Sequence, residues 1–525
     1  MKKSTRRFYL WPTLRKVNKQ YYLNLFSVTE EDMQSLVHQA LSGGGDWCDL
    51  YFEDTIFTDL MLRDGEVNSG GSHIDFGCGI RVLSGDKTGY AYAESTDMAA
   101  LIRAAKSAGA IAASALPPKD MSTPGHGQGE GPVVDKFSLR EDAGYDGRGR
   151  SEAEPNGVPL GASALAAELY SMKRDWRLSG AAEFVPALKK LEALIRARDN
   201  RVHKVIAMLS WNVSEVMMYN SLGQLSFDTR PCGNLAVSTI FMKDGKTEMS
   251  TASRSFRQGC EFVSDALLEE LADLATDGID ARFEARRPKG GKMPVVMAAG
   301  ASGILLHEAM GHAFEADFNR KGQSIFADKM GKRVAKAGIN ILDDGTIPGN
   351  RGSNVFDDEG VPEQKTYMVR DGVLTSYLHD RISAKYYGVA PTGNGRRESF
   401  RYHPIPRMRC TYMESGSDGT LEDLIASVKK GIFVDKFSNG QVKIGEGDFT
   451  FFVKSGFLIE DGRLTMPVKD INIIGNGPQA LADISAVAGD LKIDDSTWTC
   501  GKEQSVPVSC GIPSVLVNNL TVGGE

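Results

Sequence analysis

The apolar and polar positions of the first 285 residues predict an antiparallel sheet flanked by helices. Residues 29–41, TEEDMQSLVHQAL, begin with a threonine that can cap a helix, and the three glycines that follow them can end it. We expect this helix to be the first ordered element of the chain. Further helical periods cover residues 98–116, 185–199 and 264–285, and strand patterns separated by Asp-Gly and Gly-Asp turns fill residues 48–94 and 202–246.

The remaining segments predict how the chain is divided. Residues 286–292, RRPKGGK, form a plausible linker, after which the chain is rich in glycine and in strand patterns. Residues 117–161 lose all periodicity, which predicts a flexible insertion. A chain of 525 residues is too long for one core, so we predict an α+β fold of two domains. The predicted parts are an N-terminal arm at 1–28, an N-terminal domain of antiparallel sheet plus helices at 29–285, and a β-rich C-terminal domain with a candidate metal-binding helix at 293–525.

Composition and charge narrow the class of protein. Hydrophobic residues make up 41% of the chain and charged residues 25%, and the net charge of -7 argues against nucleic-acid binding. No run approaches the ~20 apolar residues of a membrane helix. The N-terminal STRRFYL resembles part of a twin-arginine export signal, but no apolar core or cleavage site follows it. With seven scattered cysteines, the sequence predicts a cytoplasmic protein without membrane segments or a disulfide framework.

The segment ILLHEAMGHAFEADF, residues 304–318, carries the candidate chemistry on a predicted helix. His307 and Glu308 match the start of the zinc-peptidase signature His-Glu-x-x-His, but His312 follows His307 by five positions instead of four. Five residues correspond to about 140° around an ideal helix, so the two rings could not share an ion. A π-bulge would return them to one face, and Gly311 lowers the steric cost of that irregularity. Metal binding therefore requires a distorted helix.

A third protein ligand is also needed, because two histidines are too few for a catalytic zinc site. Glu308 is set aside as the general base, so the candidates are Glu315, Asp317 or a distant cysteine. The residues alone leave a second interpretation open, in which His307 and His312 are core histidines that bind no metal.

Six motifs in the second half of the chain resemble those of one enzyme family. They are GILLHEAMGHAFEADFNRKG, VFDDEG, TGNGRRESFRYHPIPRM, GDFTFFVKSGFLIEDGRL, IIGNGP and CGKEQSVPVSCGIPSVLVNNLTVGG. Their sequence and order resemble the TldD/PmbA family of metallopeptidases. The resemblance covers roughly residues 30–525 without the 117–161 insertion. It is to the TldD branch, which keeps the metal ligands, whereas the TldE or PmbA branch lacks them.

The resemblance implies a zinc site with defined roles. His307, His312 and Cys500 would be the Zn²⁺ ligands, and Glu308 would be the catalytic glutamate. Such a site leaves one zinc position open for the water that Glu308 deprotonates. Cys510 is interpreted as a small packed residue. The alternative is a non-catalytic peptide-binding or scaffold protein whose metal is structural or absent.

The resemblance also implies substrates and partners. Family members cleave unfolded or small peptides, and they act as homodimers or as heterodimers with a TldE/PmbA-type paralogue around an enclosed site. An extended peptide can add to a sheet edge in such a site, and we expect the strands near DFTFFV, residues 448–453, to offer that edge. The basic N-terminal arm and the 117–161 insertion depart from the family pattern, so the choice of partner stays open.

Three further signals have weaker chemical interpretations. Arg396 and Arg397 could bind a substrate carboxylate, with structural ion pairs as the alternative. Gly475-x-Gly477-x-x-Ala480 has the form of a dinucleotide-binding turn, but hairpin patterns precede it, so we expect a structural turn near the site. The acidic run from Asp357 to Gly360 is expected to be a turn instead of a cation site.

Overall fold

An antiparallel sheet of six strands forms the first half of the fold in the computed structural model, which describes residues 18–114 and 169–524. The spatial order is β3-β2-β1-β4-β5-β6, so strands from both sides of residues 115–168 pair through β1 and β4. The predicted Asp-Gly hairpins are confirmed at Asp64-Gly65 and Asp244-Gly245, which adopt positive φ. The strands are β1 (Trp47–Arg63), β2 (Glu66–Ser84), β3 (Lys87–Ala93), β4 (Val202–Asn220), β5 (Leu225–Lys243) and β6 (Lys246–Phe256).

Helices pack against both ends of this sheet. They are α1 (Lys19–Phe26), α2 (Glu30–Leu41), α3 (Met98–Ser114), α4 (Val185–Arg198), α5 (Asp265–Thr276) and α6 (Ile279–Glu284). The first three share a core with β1 and β2, whereas α4 and α5 share another with the middle of β4. Gly278, with a φ of 67°, divides the helix predicted at 264–285 into α5 and α6.

The first ordered element was predicted wrongly. The α1 helix precedes residue 29 and lies within the predicted arm, where Tyr22 and Phe26 are fully buried against the sheet. Eight residues with few helix signals form a helix here because of this burial, since short helices depend on tertiary packing. Residues 1–17 and the predicted insertion at 117–161 lie outside the described residues. Among the helices of the described ranges, none has the length and apolar character needed to span a bilayer.

Two sheets with short helices build the second half, which confirms the α+β prediction. The first sheet contains β7 (Gly291–Met297), β14 (Lys430–Lys443), β15 (Asp448–Glu460), β16 (Arg463–Val468), β17 (Ile471–Asn476), β18 (Ile484–Val487) and β23 (Val515–Gly523). The second contains β8 (Ile341–Asp344), β9 (Lys365–Arg370), β10 (Val373–Leu374), β13 (Cys410–Met413), β19 (Lys492–Asp494) and β22 (Ser509–Ile512). Two ribbons pair β11 (Gly395–Arg396) with β12 (Ile405–Pro406), and β20 (Thr499–Lys502) with β21 (Gln504–Pro507). The helices are α7 (Ile304–Leu306), α8 (Ala316–Arg320), α9 (Arg381–Tyr387), α10 (Leu421–Ala426) and α11 (Gly477–Ala482).

The first of these sheets closes on itself. The strands pair in the ring β14-β7-β23-β17-β15, and β15 pairs again with β14. The expectation of a free edge at residues 448–453 was therefore wrong. These residues pair with β14 on one side and with β17 on the other, so their backbone groups are already used.

A buried ion pair and a buried hydrogen bond join the first sheet to the second half. Arg81 is 2.6 Å from Asp49 on the neighbouring strand and 2.7 Å from Glu359 in the second half. Glu53 on β1 accepts from the Phe400 N–H at 2.7 Å. Because buried polar and charged groups need partners, these contacts tie the two halves together.

Candidate metal centre

The segment with both histidines is a helix with a π-turn at its centre. α7 leads into the π-turn His307–Gly311, which is followed by the 3₁₀ turn His312–Phe314. The His312 N–H donates to the His307 carbonyl, five residues earlier. The two imidazole rings consequently lie 5.1 Å apart between centroids, at an angle of 82°. The predicted distortion of the helix is confirmed.

Two glycines let neighbouring segments pack closely against the π-turn. Gly311 has a helical φ of -56°, so it does not use the conformational freedom of glycine. A Cβ at Gly311 would lie 2.1 Å from Met408 Sδ, and a Cβ at Gly477 would lie 2.2 Å from the Ala309 carbonyl oxygen. The steric role expected of Gly311 is therefore to leave space for Met408 beside the π-turn.

A cysteine from the distant hairpin β20-β21 completes a group of three possible ligands. Cys500 Sγ is 3.2 Å from His312 Nε2. One donor atom each from His307, His312 and Cys500 lies within 4.8 Å of the other two, and all three residues are buried. The fully buried Arg407 fixes this hairpin by donating to the Cys500 carbonyl at 2.7 Å and the Gln504 carbonyl at 2.8 Å.

The electrostatics of this group favour the form of cysteine that binds metals. Burial raises the pKa of the Cys500 thiol, but His307 and His312 outweigh that effect and lower the pKa to about 4. Burial lowers the pKa of His312, whereas Glu315 and then Cys500 raise it well above the usual value. The lowered pKa favours the thiolate form of Cys500, which is the form that binds metals.

The donor set fits a zinc ion. His307 Nδ1 is buried and has no hydrogen-bond partner among the described residues, which is costly for a polar atom unless a ligand satisfies it. One thiolate sulfur and two imidazole nitrogens are donors that zinc accepts, and three protein ligands leave a fourth position open.

Glu315 and Asp317, the other candidate ligands, lie behind the histidines. Glu315 Oε2 is 3.0 Å from His312 Nδ1, the ring nitrogen on the opposite side from Cys500. Lys502 Nζ lies 3.0 Å from Glu315 Oε2 and 2.8 Å from Asp317 Oδ1. Burial raises the pKa of Glu315, but Lys502 and His312 outweigh it and lower the pKa to about 2. Neither acid belongs to the group of three possible ligands. Both instead contact the Lys502 ammonium.

Glu308 and Cys510 differ from the grouped residues. Glu308 is only partly buried, although His307 beside it is almost fully buried. Cys510 lies on β22, opposite Thr411 of β13, where burial raises the pKa of its thiol well above the usual value. Cys510 is thus a packed neutral thiol, as its interpretation from sequence expected.

The two arginines predicted to bind substrate have partners within the chain. Arg396 is 3% exposed, and its guanidinium donates to the Met408 carbonyl and, at 2.8 Å, to the Pro507 carbonyl. Arg397 is 5% exposed and donates to the Asp358 carbonyl at 2.9 Å. These contacts favour the structural interpretation, and substrate binding by either residue stays a prediction.

The glycine-rich and acidic motifs serve as turns. The strand that leads into Gly477 is antiparallel to both of its neighbours, so it forms no βαβ unit for a dinucleotide. Gly477 instead lies against the π-turn, as the structural interpretation expected. In the acidic run, the Gly360 N–H donates to the Asp357 carbonyl, and the Asp358 side chain pairs with Arg230 at 2.6 Å. This run is a buried turn.

Sequence reasoning missed the residues that hold the three grouped side chains in place. Arg407 and Lys502 received no role, and Glu315 was considered only as a ligand. One signal was present for Lys502: it follows Cys500 by two positions, and residues two apart on a strand face the same side. The role of Arg407 depends on tertiary contacts with β20-β21 and has no local signal.

Comparisons with known proteins match most of the chain. Models of the PmbA/TldA metallopeptidase family match as domain 1 over residues 48–112, as the central domain over 176–285 and as the C-terminal domain over 290–524. A "Metalloprotease TldD homolog" of Haemophilus influenzae is 35% identical over 528 residues, covering 98% of each chain. A "Zinc metalloprotease TldD homolog" of Saccharolobus solfataricus is 35% identical over 239 residues, covering 45% of this chain and 53% of that protein.

Solved structures show the same fold. The crystal structure of TldE from Thermococcus kodakarensis superposes with a TM-score of 0.68 at 20% identity, covering 94% of this chain and all of that one. Together with the full-length similarity to the Haemophilus influenzae protein, the three domain matches establish the family. The chain belongs to the TldD/PmbA family of metallopeptidases.

Proposed function

We propose that the chain is a zinc-dependent peptidase that cleaves unfolded or small peptides. The observation that carries this proposal is the buried group of His307, His312 and Cys500 with the partly exposed Glu308 beside it. The names of the relatives support it, since they are called metalloproteases and one is called a zinc metalloprotease.

The residues of the site divide the catalytic work. His307 and His312 would hold zinc through imidazole nitrogens, and Cys500 would hold it through the thiolate. A bound zinc ion supplies an acidified water and a Lewis acid for the peptide carbonyl. Glu308 would act as general base toward the attacking water and then as proton donor to the departing amine. Glu308 can do so because, unlike the three ligands, it is open to solvent and therefore to substrate.

The proposed functional unit is a dimer in the cytoplasm. It contains either two copies of this chain or one copy and a TldE/PmbA-type paralogue. All seven cysteines are free and buried, which is usual in a reducing compartment. Light scattering of the purified chain with and without the paralogue separates the two arrangements.

The competing proposal is a peptide-binding or scaffold protein with a structural metal. A structural site has no use for an acid beside its ligands, so Glu308 favours the enzyme. The deciding variant is Glu308→Gln, with Glu422→Gln as a matched control at an exposed position of α10. Both variants should bind zinc as the wild type does, and only Glu308→Gln should lose hydrolysis of a peptide mixture, by at least ~100-fold.

Two outcomes would contradict the peptidase proposal. One is a zinc-loaded Glu308→Gln variant that cleaves at the wild-type rate, which would remove the general base from the mechanism. The other is a zinc-loaded wild type that binds peptides without cleaving them, alone and with its paralogue, which would favour the scaffold.

A further inference from the structure

The side chain behind His312 belongs to a buried charge cluster. Glu315 is fully buried, and its Oε2 lies 3.0 Å from both His312 Nδ1 and Lys502 Nζ. Its Oε1 is 3.8 Å from Arg407 Nε. A buried carboxylate needs nearby donors and positive charges. Glu315 has three of them: the His312 ring, the Lys502 ammonium and the Arg407 guanidinium.

The contacts of the Lys502 ammonium lie within this cluster. Besides Glu315, it contacts Asp317 Oδ1 at 2.8 Å and the Pro406 carbonyl at 3.2 Å. An ammonium has three protons to donate, and three acceptors surround this one. Lys502 is 8% exposed, so the contacts are those of a buried group with a fixed position.

The strand that carries Lys502 also carries Cys500. Along β20, Cys500 and Lys502 are buried, whereas Thr499 and Gly501 are exposed. The alternation of a strand places the thiolate and the ammonium on the same side, one turned to His312 Nε2 and the other to Glu315. Strand β20 therefore contacts the segment 312–315 at two points. Cys500 faces Nε2 of the His312 ring, and Lys502 contacts Glu315 at the Nδ1 side of the same ring.

The arrangement dictates the tautomer of His312. A carboxylate can only accept, so Nδ1 carries a proton, and Nε2, which faces Cys500, is the nitrogen that binds a metal once its own proton is lost. Carboxylates in this position orient metal-binding histidines and raise their basicity.

We propose that Glu315 and Lys502 act as a pair of positioning residues, in which Lys502 fixes the Glu315 carboxylate and Glu315 fixes the tautomer and direction of His312 as a metal ligand. The inference rests on the proposed metal site. It assigns Glu315 a place behind the ligand, which excludes it as a ligand itself. It also assigns β20 two tasks, the delivery of Cys500 and the alignment of His312.

The test uses the full chain loaded with Co²⁺, whose absorption reports the geometry and the sulfur bond of the site. The variants are Glu315→Gln, Lys502→Met and the double substitution. Glu359→Gln is the matched control, because Glu359 is also buried and paired with an arginine, Arg81, but does not contact the histidines. Three quantities are measured: the cobalt spectrum, the metal affinity against a chromophoric chelator, and Tm.

Glu315→Gln should weaken metal binding by about 10- to 100-fold and change the d–d bands, while the charge-transfer band of the Cys500 sulfur persists. The double substitution should weaken binding little more than Glu315→Gln does, because the pair acts as a unit. Glu359→Gln should leave the affinity and spectrum unchanged even if its Tm falls. Should Lys502→Met fail to fold, the nearly isosteric Glu315→Gln decides alone.

Failure of the inference and failure of the proposed function are distinguishable. If the wild type takes up cobalt with a sulfur charge-transfer band, and Glu315→Gln keeps its affinity within twofold and its spectrum unchanged, only the positioning pair is wrong. If the wild type shows no such band, the metal site fails and the inference falls with it.

Discussion

Replacing Gly477 by alanine would place a methyl group against the π-turn. The added Cβ would lie 2.2 Å from the Ala309 carbonyl oxygen, whereas real Cβ contacts are essentially never shorter than 3.0 Å. The carbonyl or α11 must therefore move by about 0.8 Å or more. Ala309 lies between His307 and His312, so a shift of its backbone changes the angle between the two rings.

The expected effect follows from the cost of overpacking, about 1–3 kcal/mol. The free protein can relieve this strain by letting the π-turn move. Metal binding, however, must bring both histidine rings back to the same side of the helix. If most of the strain returns on binding, zinc affinity falls by roughly 10- to 100-fold, since ~1.4 kcal/mol corresponds to a factor of ten.

Gly501→Ala is the matched control for Gly477→Ala. Gly501 adjoins Cys500, yet a Cβ at this position meets no atom within 4 Å. Zinc affinity of the wild type and both variants is measured by competition with a chromophoric chelator, and Tm is recorded in parallel. Equal affinities for Gly477→Ala and Gly501→Ala would refute the argument that the π-turn geometry sets metal binding.

Two more predictions concern the buried charged residues Glu53 and Arg407. Burial raises the pKa of Glu53 from 4.5 to about 7, against the lowering effects of its hydrogen bonds from Thr55 and Phe400. Because the folded-state pKa is the higher one, Glu53 lowers the free energy of unfolding as pH rises from 4.5 to 7, by about 3 kcal/mol in all. Glu53→Gln should thus be more stable than the wild type at pH 8 and lose that advantage below pH 4.5, and parallel pH profiles of Tm for both proteins would contradict this. Arg407→Lys should lower the free energy of unfolding by about 2–4 kcal/mol and weaken zinc binding, because one ammonium cannot replace the forked guanidinium that reaches the Cys500 carbonyl. Unchanged denaturation and zinc affinity would show that the guanidinium is dispensable.

The sequence was most informative where local geometry sets a strict condition. His307 and His312, five residues apart, could share an ion only on a widened helix, and that π-turn is present. The Asp-Gly hairpins were predictable for the same reason, since a tight turn restricts φ at its two central residues.

Features that depend on tertiary contacts could not be predicted in this way. The α1 helix owes its existence to the burial of Tyr22 and Phe26 by distant strands. Closure of the ring at β15 uses both edges of a strand whose own pattern gives no sign of its neighbours. Around the metal centre, Arg407 acts through carbonyls about a hundred residues away, which no spacing rule can anticipate.

The central claim is that His307, His312 and Cys500 form one metal site. The most direct test is the zinc content of purified chains, compared among the wild type, Cys500→Ala and Cys510→Ala. Both cysteines are buried, but only Cys500 lies with the histidines. We predict one zinc per chain in the wild type and in Cys510→Ala, and almost none in Cys500→Ala. Equal zinc content in the two variants would contradict the assignment of Cys500 as a ligand and, with it, the proposed centre.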